Sequence, residues 1–364
     1  MRLTIVGDIF PGDEEITIGY GIKSLFQSRK FRLLWQSNIR EILGETDCVI
    51  GNLESPLLDE DKSVKVSFHG IPEFADFLKT CGFNVLNIAN NHILEQGKGG
   101  FLDTLHCLKK SGITAVGMTD DNDAPDITTY EHDGIRIVIA GFCDESICSI
   151  PYMAGTYNKL DEERIVKAVN KIKDIPADVR TVILHWGNEY IHFPSLQQRH
   201  LAYKLIDMGV DLIIGHHPHC IQPYEKYNQG HIFYSLGNFC FDYLQSDRVK
   251  MGLVAKITLT HSGIERIELN GVDLYDTVYS NQLVRASLPD KFNSFYTKIA
   301  NKYRLLQSLD DEQYEKVYIQ TLKSNRLTER INMRKWILWS MLRASLPRKY
   351  MLFKNLWNFY HIVK

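Results

Sequence analysis

Apolar positions fall into runs of strand length that alternate with segments of helical spacing. "RLTIVGD" (2–8) and "DCVIGNLE" (47–54) are near-continuous apolar runs and read as buried strands, with a helical segment over about 23–43 between them. "NVLNIAN" (84–90) follows a helix predicted from about Pro72 to Cys81, where the proline suits a first turn. In "GGFLDTLHCLKKSG" (99–112), apolar residues at 101, 102, 105 and 108 mark one helix face that closes at Gly112. "RTVILHWG" (180–187), flanked by helices near 161–173 and 196–208, and "DLIIGHH" (211–217) continue the alternation. Such alternation of helices with strands apolar on both faces predicts a layered α/β domain with much parallel sheet. Past about residue 220 the period drops to two. "IFYSLGNFCFD", "GLVAKITLT" and "GIERIELNGVDLYD", broken by glycine turns, predict antiparallel strands in a second sheet, hence a sandwich flanked by helices. From about Asp276 the chain turns helical and basic, so the expected division is a domain over 1–275 and a helical extension over 276–364.

The predicted strands end on a particular set of side chains. The first ends at Asp8, the second at Asn52 and Glu54, the third in "NNH" (Asn90 to His92). "RTVILHWGNEY" ends at His185 with Glu189 just beyond, and "DLIIGHHPHCIQPYE" delivers His216, His217 and His219 within four positions. A later strand brings Asn238 in "SLGNF". Open α/β sheets bind ligands at the carboxyl ends of their strands, where the loops diverge. Carboxylates and imidazoles gathered there without partners cost several kcal/mol in desolvation, roughly, and a cation removes that cost. A donor set of oxygen and nitrogen without thiolate suits Mn, Fe or Zn.

Taken singly, these residues have plainer readings. The three histidines could form a solvated turn, Asp8 could cap a following helix, and Asn52 could bond backbone in a turn. Glu189 and Tyr190 could be surface loop residues, Asn238 reads as a structural support, and Trp186 as a core or wall residue. His69, His106, His132, His192, His200, His231 and His361 are read as ordinary histidines. "GKGG" (97–100) lacks Walker spacing and is read as a helix lead-in.

"GDIF", "NLESPL", "NIANNHILEQGKGGFLDTL", "HWGNEY", "GHHPHCIQPYE" and "YSLGNFCFD" together resemble the signature blocks of the CapA family, associated with capsule and poly-γ-glutamate synthesis and related to calcineurin-like metallophosphoesterases. The blocks run in the family's order from residue 7 to about 242. The resemblance implies a metallophosphoesterase-like four-layer α/β/β/α sandwich with a helical C-terminal extension. It places Asp8, Glu54, Asn91, His185, His217 and His219 as metal ligands and His92 near the leaving group, oriented by Glu95. Glu189 and His216 would line the same cleft. The match departs from the superfamily at Phe10, where a histidine is usual, at Asn52 and Glu54, where an aspartate is usual, and at Ile93, where an acid usually follows the Asn-His pair. The expected occupancy is therefore one tightly held divalent ion or two, activating water against a phosphoester or polymer-related substrate. Two rival functions stand beside this: a non-catalytic scaffold of a polymer-synthesis assembly, and a stand-alone cytosolic phosphodiesterase.

Charge and cysteine usage change the picture in two places. From Thr321 to Lys364 there are ten Lys and Arg against one acid, Glu329, although the whole chain has a formal charge of −2. Such a Trp-bearing basic tail either packs Trp336, Ile337, Trp339, Met341 and Leu342 on the main domain or lies on an anionic membrane or a capsule-assembly partner. No nucleic-acid motif accompanies the charge, so no nucleic-acid partner is expected. Seven cysteines without a C-x-x-C pair read as free buried thiols in a reducing compartment. No signal-peptide pattern opens the sequence, which sets the expectation of a cytoplasmic protein, at the inner face of the membrane if the tail anchors it.

Overall fold

The computed structural model describes every residue except 121, 243, 277–279, 281, 344, 363 and 364, and the side chains of 343 and 359–362, His361 among them. In chain order its elements are β1 (Arg2–Ile9), α1 (Ile22–Gln27), α2 (Arg32–Leu43), β2 (Cys48–Leu53), α3 (Glu73–Cys81), β3 (Val85–Asn87), α4 (Gly97–Lys110) and β4 (Thr114–Val116). There follow β5 (Thr128–His132), β6 (Ile135–Cys143), α5 (Glu162–Asp174), β7 (Val179–His185), α6 (Leu196–Asp207), β8 (Leu212–His216), β9 (Ile221–Tyr227), β10 (Gly230–Leu236) and β11 (Asn238–Cys240). The chain closes with β12 (Met251–Thr260), β13 (Gly263–Leu274), β14 (Val284–Ala286), α7 (Pro289–Gln307), α8 (Asp311–Arg343) and α9 (Leu346–Ile362).

Two sheets stack face to face. The first runs β14-β13-β12-β1-β2-β3-β4, with β11 also pairing β1, and the second runs β5-β6-β7-β8-β10-β9. Strands β1 to β4 are mutually parallel, as are β6, β7, β8 and β10. The antiparallel strands after residue 220 do not form a sheet of their own, as the period-two pattern suggests. β9 joins the second sheet through β10, and β12 and β13 extend the first through β1, so both sheets are mixed. Periodicity reports which faces are buried and not which neighbour a strand pairs with.

Three apolar clusters hold four layers. Between the sheets lie Ile5, Ile50, Ile139, Ile183, Ile214 and Phe233, one inward position after another from both sides. On the outer face of the first sheet, Trp35, Ile39, Phe74, Leu78, Phe101 and Leu108 bring in α2, α3 and α4. On the outer face of the second, Ile165, Val169, Ala202 and Leu205 bring in α5 and α6, with Tyr303 of α7 and Tyr314 and Tyr318 of α8 over them. The helices α2 to α6 each bury one apolar stripe, the source of most of their stability. The helical segment expected over 23–43 breaks into α1 and α2, with Arg29 at φ +59 in the break. The six cysteines 48, 81, 107, 143, 220 and 240 are buried, Cys148 is half-buried, and all seven are free.

The extension packs on the body rather than standing away from it. Trp336 is buried with Ile16, Tyr20 and Leu352, and Ile337 and Met341 pack around them. Trp339 and Leu342, expected on the same side, are instead 49% and 62% exposed. Among the described residues no helix is long and apolar enough to cross a membrane.

Candidate metal centre

The carboxyl ends of β1, β2 and β3 in one sheet and of β7 and β8 in the other meet at one edge of the sandwich. Register sets the first row: Asn238, Asp8, Asn52 and Asn87 are successive cross-strand partners on β11, β1, β2 and β3. Register sets the second row too, His185 of β7 standing opposite His216 of β8. Parallel strands bring residues from distant sequence positions side by side, which is why five separate segments can supply one cluster.

Asp8 is fully buried. Its Oδ1 accepts from Asn52 Nδ2 at 2.9 Å and lies 2.9 Å from His216 Nδ1, while its Oδ2 accepts the backbone N–H of His217 at 3.3 Å. Asn52 is itself fixed, its Oδ1 accepting from Asn87 Nδ2 at 2.9 Å. Asn52 thus belongs to the buttress behind Asp8 and to no turn. His185 Nε2 lies 2.8 Å from Asn91 Oδ1 and 3.5 Å from Glu54 Oε1. His219 Nε2 lies 3.6 Å from the same Glu54 oxygen, and its Nδ1 is 3.0 Å from Asn238 Oδ1. The His217 ring lies tilted between its neighbours, its centroid 5.0 Å from that of His185 and 5.8 Å from that of His219.

Glu54 is the joint between the two sets. It is fully buried, yet neither of its oxygens has a hydrogen-bond partner, and His216 Nε2 and His217 Nδ1 are likewise buried and unpartnered. Such orphaned groups cost about 1–3 kcal/mol each unless something else satisfies them. Asp8, Glu54 and His185 each offer a ligand atom within 4.8 Å of one another, as do Glu54, His217 and His219. Two overlapping triads of oxygen and nitrogen donors, sharing Glu54, fit a divalent cation such as Mn, Fe or Zn.

The backbone at the histidines is held in an unusual state. His217 has φ +95 and His219 φ +54, left-handed conformations that ordinary residues avoid at a cost of about 1–3 kcal/mol each. The turn around Pro218 brings both imidazoles to Glu54.

Electrostatics follow from burial without water. Burial alone would raise Asp8, but hydrogen bonds from His216 and His219 hold it well below the usual carboxylate range. Burial pushes Glu54 well above its usual value, with His219 opposing and Asp8 reinforcing the rise. His219 is raised to about 10, because Glu54 and Asp8 outweigh the burial that would lower it. Burial lowers His217 to about 4, and burial with the neighbouring His217 holds His185 well below its usual value, so both stay neutral as ligands must. By itself the cluster takes up protons to balance buried negative charge. That is the charge a cation would supply.

Residues expected in the cleft divide into three places. His92 sits at the rim, its Nδ1 3.0 Å from Glu95 Oε1, stacked on Phe68 at 5.0 Å. Glu95 also takes an ion pair from Lys65, and its carboxyl stays below its usual value because these two contacts outweigh burial. Glu189 lines the space outside the cluster, together with His92, His219 and Glu14, in a cavity of about 200 Å³. His216 is fully buried and stands behind Asp8, its Nδ1 2.9 Å from Asp8 Oδ1. Phe10 packs on Phe241 at 5.1 Å, so aromatic rings fill the position two residues beyond Asp8. Trp186 is core, donating Nε1–H to the Tyr234 carbonyl at 3.1 Å.

Glu14 is a site residue that the strand-end pattern does not reach. It follows "PGD" in a loop, six residues beyond Asp8, and only tertiary folding brings it to His219. Its carboxyl is raised well above the usual value by burial and by Asp242.

Residues 2–243 match the family described as "Bacterial capsule synthesis protein PGA_cap". The chain is 34% identical over 257 residues to the capsule biosynthesis protein CapA of Bacillus anthracis, across 66% of this chain and 60% of that one. It is 33% identical over 288 residues to the PGA biosynthesis protein CapA of Bacillus subtilis (strain 168), across 76% of this chain and 72% of that one. Among solved structures, a 5'-nucleotidase precursor from Thermus thermophilus is similar over 85% of this chain and 60% of that chain, at 14% identity and a TM-score of 0.48. The chain spans three-fifths of the length of the Bacillus anthracis relative, 60%.

Proposed function

The chain belongs to the bacterial capsule synthesis protein family PGA_cap, and from that membership we propose that it serves capsule or poly-γ-glutamate synthesis through a metal-dependent phosphoester-hydrolase site. The observation that carries the reading is Glu54, a fully buried carboxylate with no hydrogen-bond partner and two imidazoles within 3.6 Å. A divalent ion bound there supplies a Lewis acid that polarises a phosphoryl oxygen and eases deprotonation of an attacking water. Asp8, Glu54, His185, His217, His219 and Asn91 would hold it. Asn52, Asn238 and His216 would fix the ligands in place, much as second partners do in other metal sites.

The remaining steps belong to the rim. Glu95 lies 3.0 Å from His92 Nδ1 and so would orient the ring, leaving Nε2 to hand a proton to a departing alkoxide. Glu189 and Glu14, beside His219 in the cavity of about 200 Å³, would bind and orient water. Elemental analysis of protein purified without chelator, run beside the His217→Ala variant, tests the reading. The variant should fold normally and lose most of its metal and its activity on a phosphodiester; equal metal in both proteins removes His217 from the site.

The tail has a separate observation in its favour as a membrane contact. Leu338, Leu346, Tyr350, Phe353 and Trp357 are 60%, 81%, 69%, 56% and 57% exposed, among basic residues. Apolar side chains interspersed with cations match the surface of an anionic bilayer. Co-sedimentation with phosphatidylserine vesicles should fall on changing Phe353 and Trp357 to serine; no binding by the unmodified chain ends that reading.

A further inference from the structure

A cavity of about 610 Å³ opens beside the centre, between the loop that carries Glu189 and one face of α8. Its inner wall includes His217 and Glu189, so it leads directly to the edge of the cluster. Its outer wall includes Arg326, Arg330 and Arg334. These recur every four residues, which puts successive guanidinium groups on one helix face about 6 Å apart along the axis.

Three features separate this row from the general basicity of the tail. The two lysines of the same stretch, Lys323 and Lys335, lie off this wall. Among the described residues none of the three arginines makes an ion pair. The acid that shares their wall, Glu329, pairs through Oε1 with Arg248 at 2.8 Å rather than with the row, and its Oε2 has no partner. Arg326 also donates to Asn188 Oδ1 at 3.0 Å, which ties the row to the loop next to Glu189. Planar, forked donors without carboxylate partners are suited to bidentate capture of carboxylate or phosphate. One isolated anion would need one such arginine; three at a regular interval along a cavity match charge that recurs along a chain.

We propose that this cavity is a binding site for a linear polyanion, with Arg326, Arg330 and Arg334 as its recognition row and the metal cluster at its inner end. The inference deepens the hydrolase reading and rests on it for the placement of the reacting end. It also locates recognition on a helix outside residues 2–243, the part that matches the family. Carboxylates and phosphates share this chemistry, and the experiment distinguishes them.

Fluorescence anisotropy at low salt, with a labelled linear hexaglutamate and a labelled linear hexaphosphate, is the test. The unmodified chain should bind at least one probe. Each arginine removed should weaken binding about tenfold, so the Arg330→Ala/Arg334→Ala double variant should lose about 100-fold. Lys323→Ala should bind as the unmodified chain does. The probe bound more tightly identifies the anion as carboxylate or phosphate. The same steps should appear in chelated protein, so failure of the metal reading would show in metal content and leave this measurement intact. Equal affinity in the double variant and the unmodified chain, or no binding of either probe by the unmodified chain, overturns the proposal.

Discussion

The two sheets contribute unlike chemistry to the one edge where they meet. The first supplies oxygen: Asp8, Asn52 and Glu54 from the ends of β1 and β2, with Asn87, Asn90 and Asn91 at and after β3. The second supplies nitrogen: His185 from β7, and His216, His217 and His219 from the end of β8 and the turn beyond it. Either set alone would be poorly off. The acids would repel one another in a space without water, and the imidazoles, buried and neutral, would lack acceptors for their N–H groups. Facing each other they share protons, and Glu54 is the group reached from both sides, 3.5 Å from His185 and 3.6 Å from His219. Sandwich packing therefore does more than bury apolar area. It forces into one pocket a mixture of donors that neither sheet could stabilise.

That contrast can be broken from the oxygen side at the rim. His92→Ala removes the imidazole that the loop after β3 supplies, and it should lower turnover by about 10²-fold or more while metal content stays unchanged. The loss should be larger for an alkyl phosphodiester than for a nitrophenyl one, whose leaving group needs no proton. Equal losses on both substrates would remove His92 from proton transfer.

A histidine near the second sheet with no acid opposite sharpens the contrast, at a smaller effect. His192 Nδ1 lies 2.9 Å from the Ile221 carbonyl, and burial lowers its pKa to about 4, where His219, facing two carboxylates, rises to about 10. The folded state therefore keeps His192 neutral while the unfolded chain protonates it below its ordinary value of 6.5. The stability it contributes is whole above that value and is lost as pH falls toward 4. Unfolding by urea should show about 2 kcal/mol of that loss by pH 5, absent in His192→Gln. An identical pH dependence in the two proteins would mean that His192 is already charged in the fold.

The oxygen and nitrogen rows were legible in the sequence because a buried strand that stops on an acid or a histidine is locally conspicuous. Asp8, Glu54, His185 and the His216–His219 group all follow apolar runs. What made them a cluster, the pairing of Asp8 with Asn52 and of His185 with His216, depends on strand neighbours that periodicity does not encode. The hairpin of β5 and β6 had a local signal that the alternation of helices and strands obscured: Asp133-Gly134, both at positive φ, between two strand-like runs. Glu14 and Lys65 had none, since each lies in an irregular loop that becomes part of the site only by folding back. The arginine row looked like an ordinary basic helix, because its spacing has meaning only once the wall opposite is known.

Glu54→Gln is the most direct test of the central claim, that donors of both sheets converge on one buried carboxylate that a cation must satisfy. Metal content and thermal midpoint would be measured together, on protein purified without chelator and again after chelation. The account predicts that the unmodified chain holds at least one divalent ion and that the variant holds little. After chelation the variant should be no less stable than the unmodified chain, since the substitution removes an unmatched buried charge. Equal metal in both proteins, or a variant that loses stability in the chelated state, would contradict it.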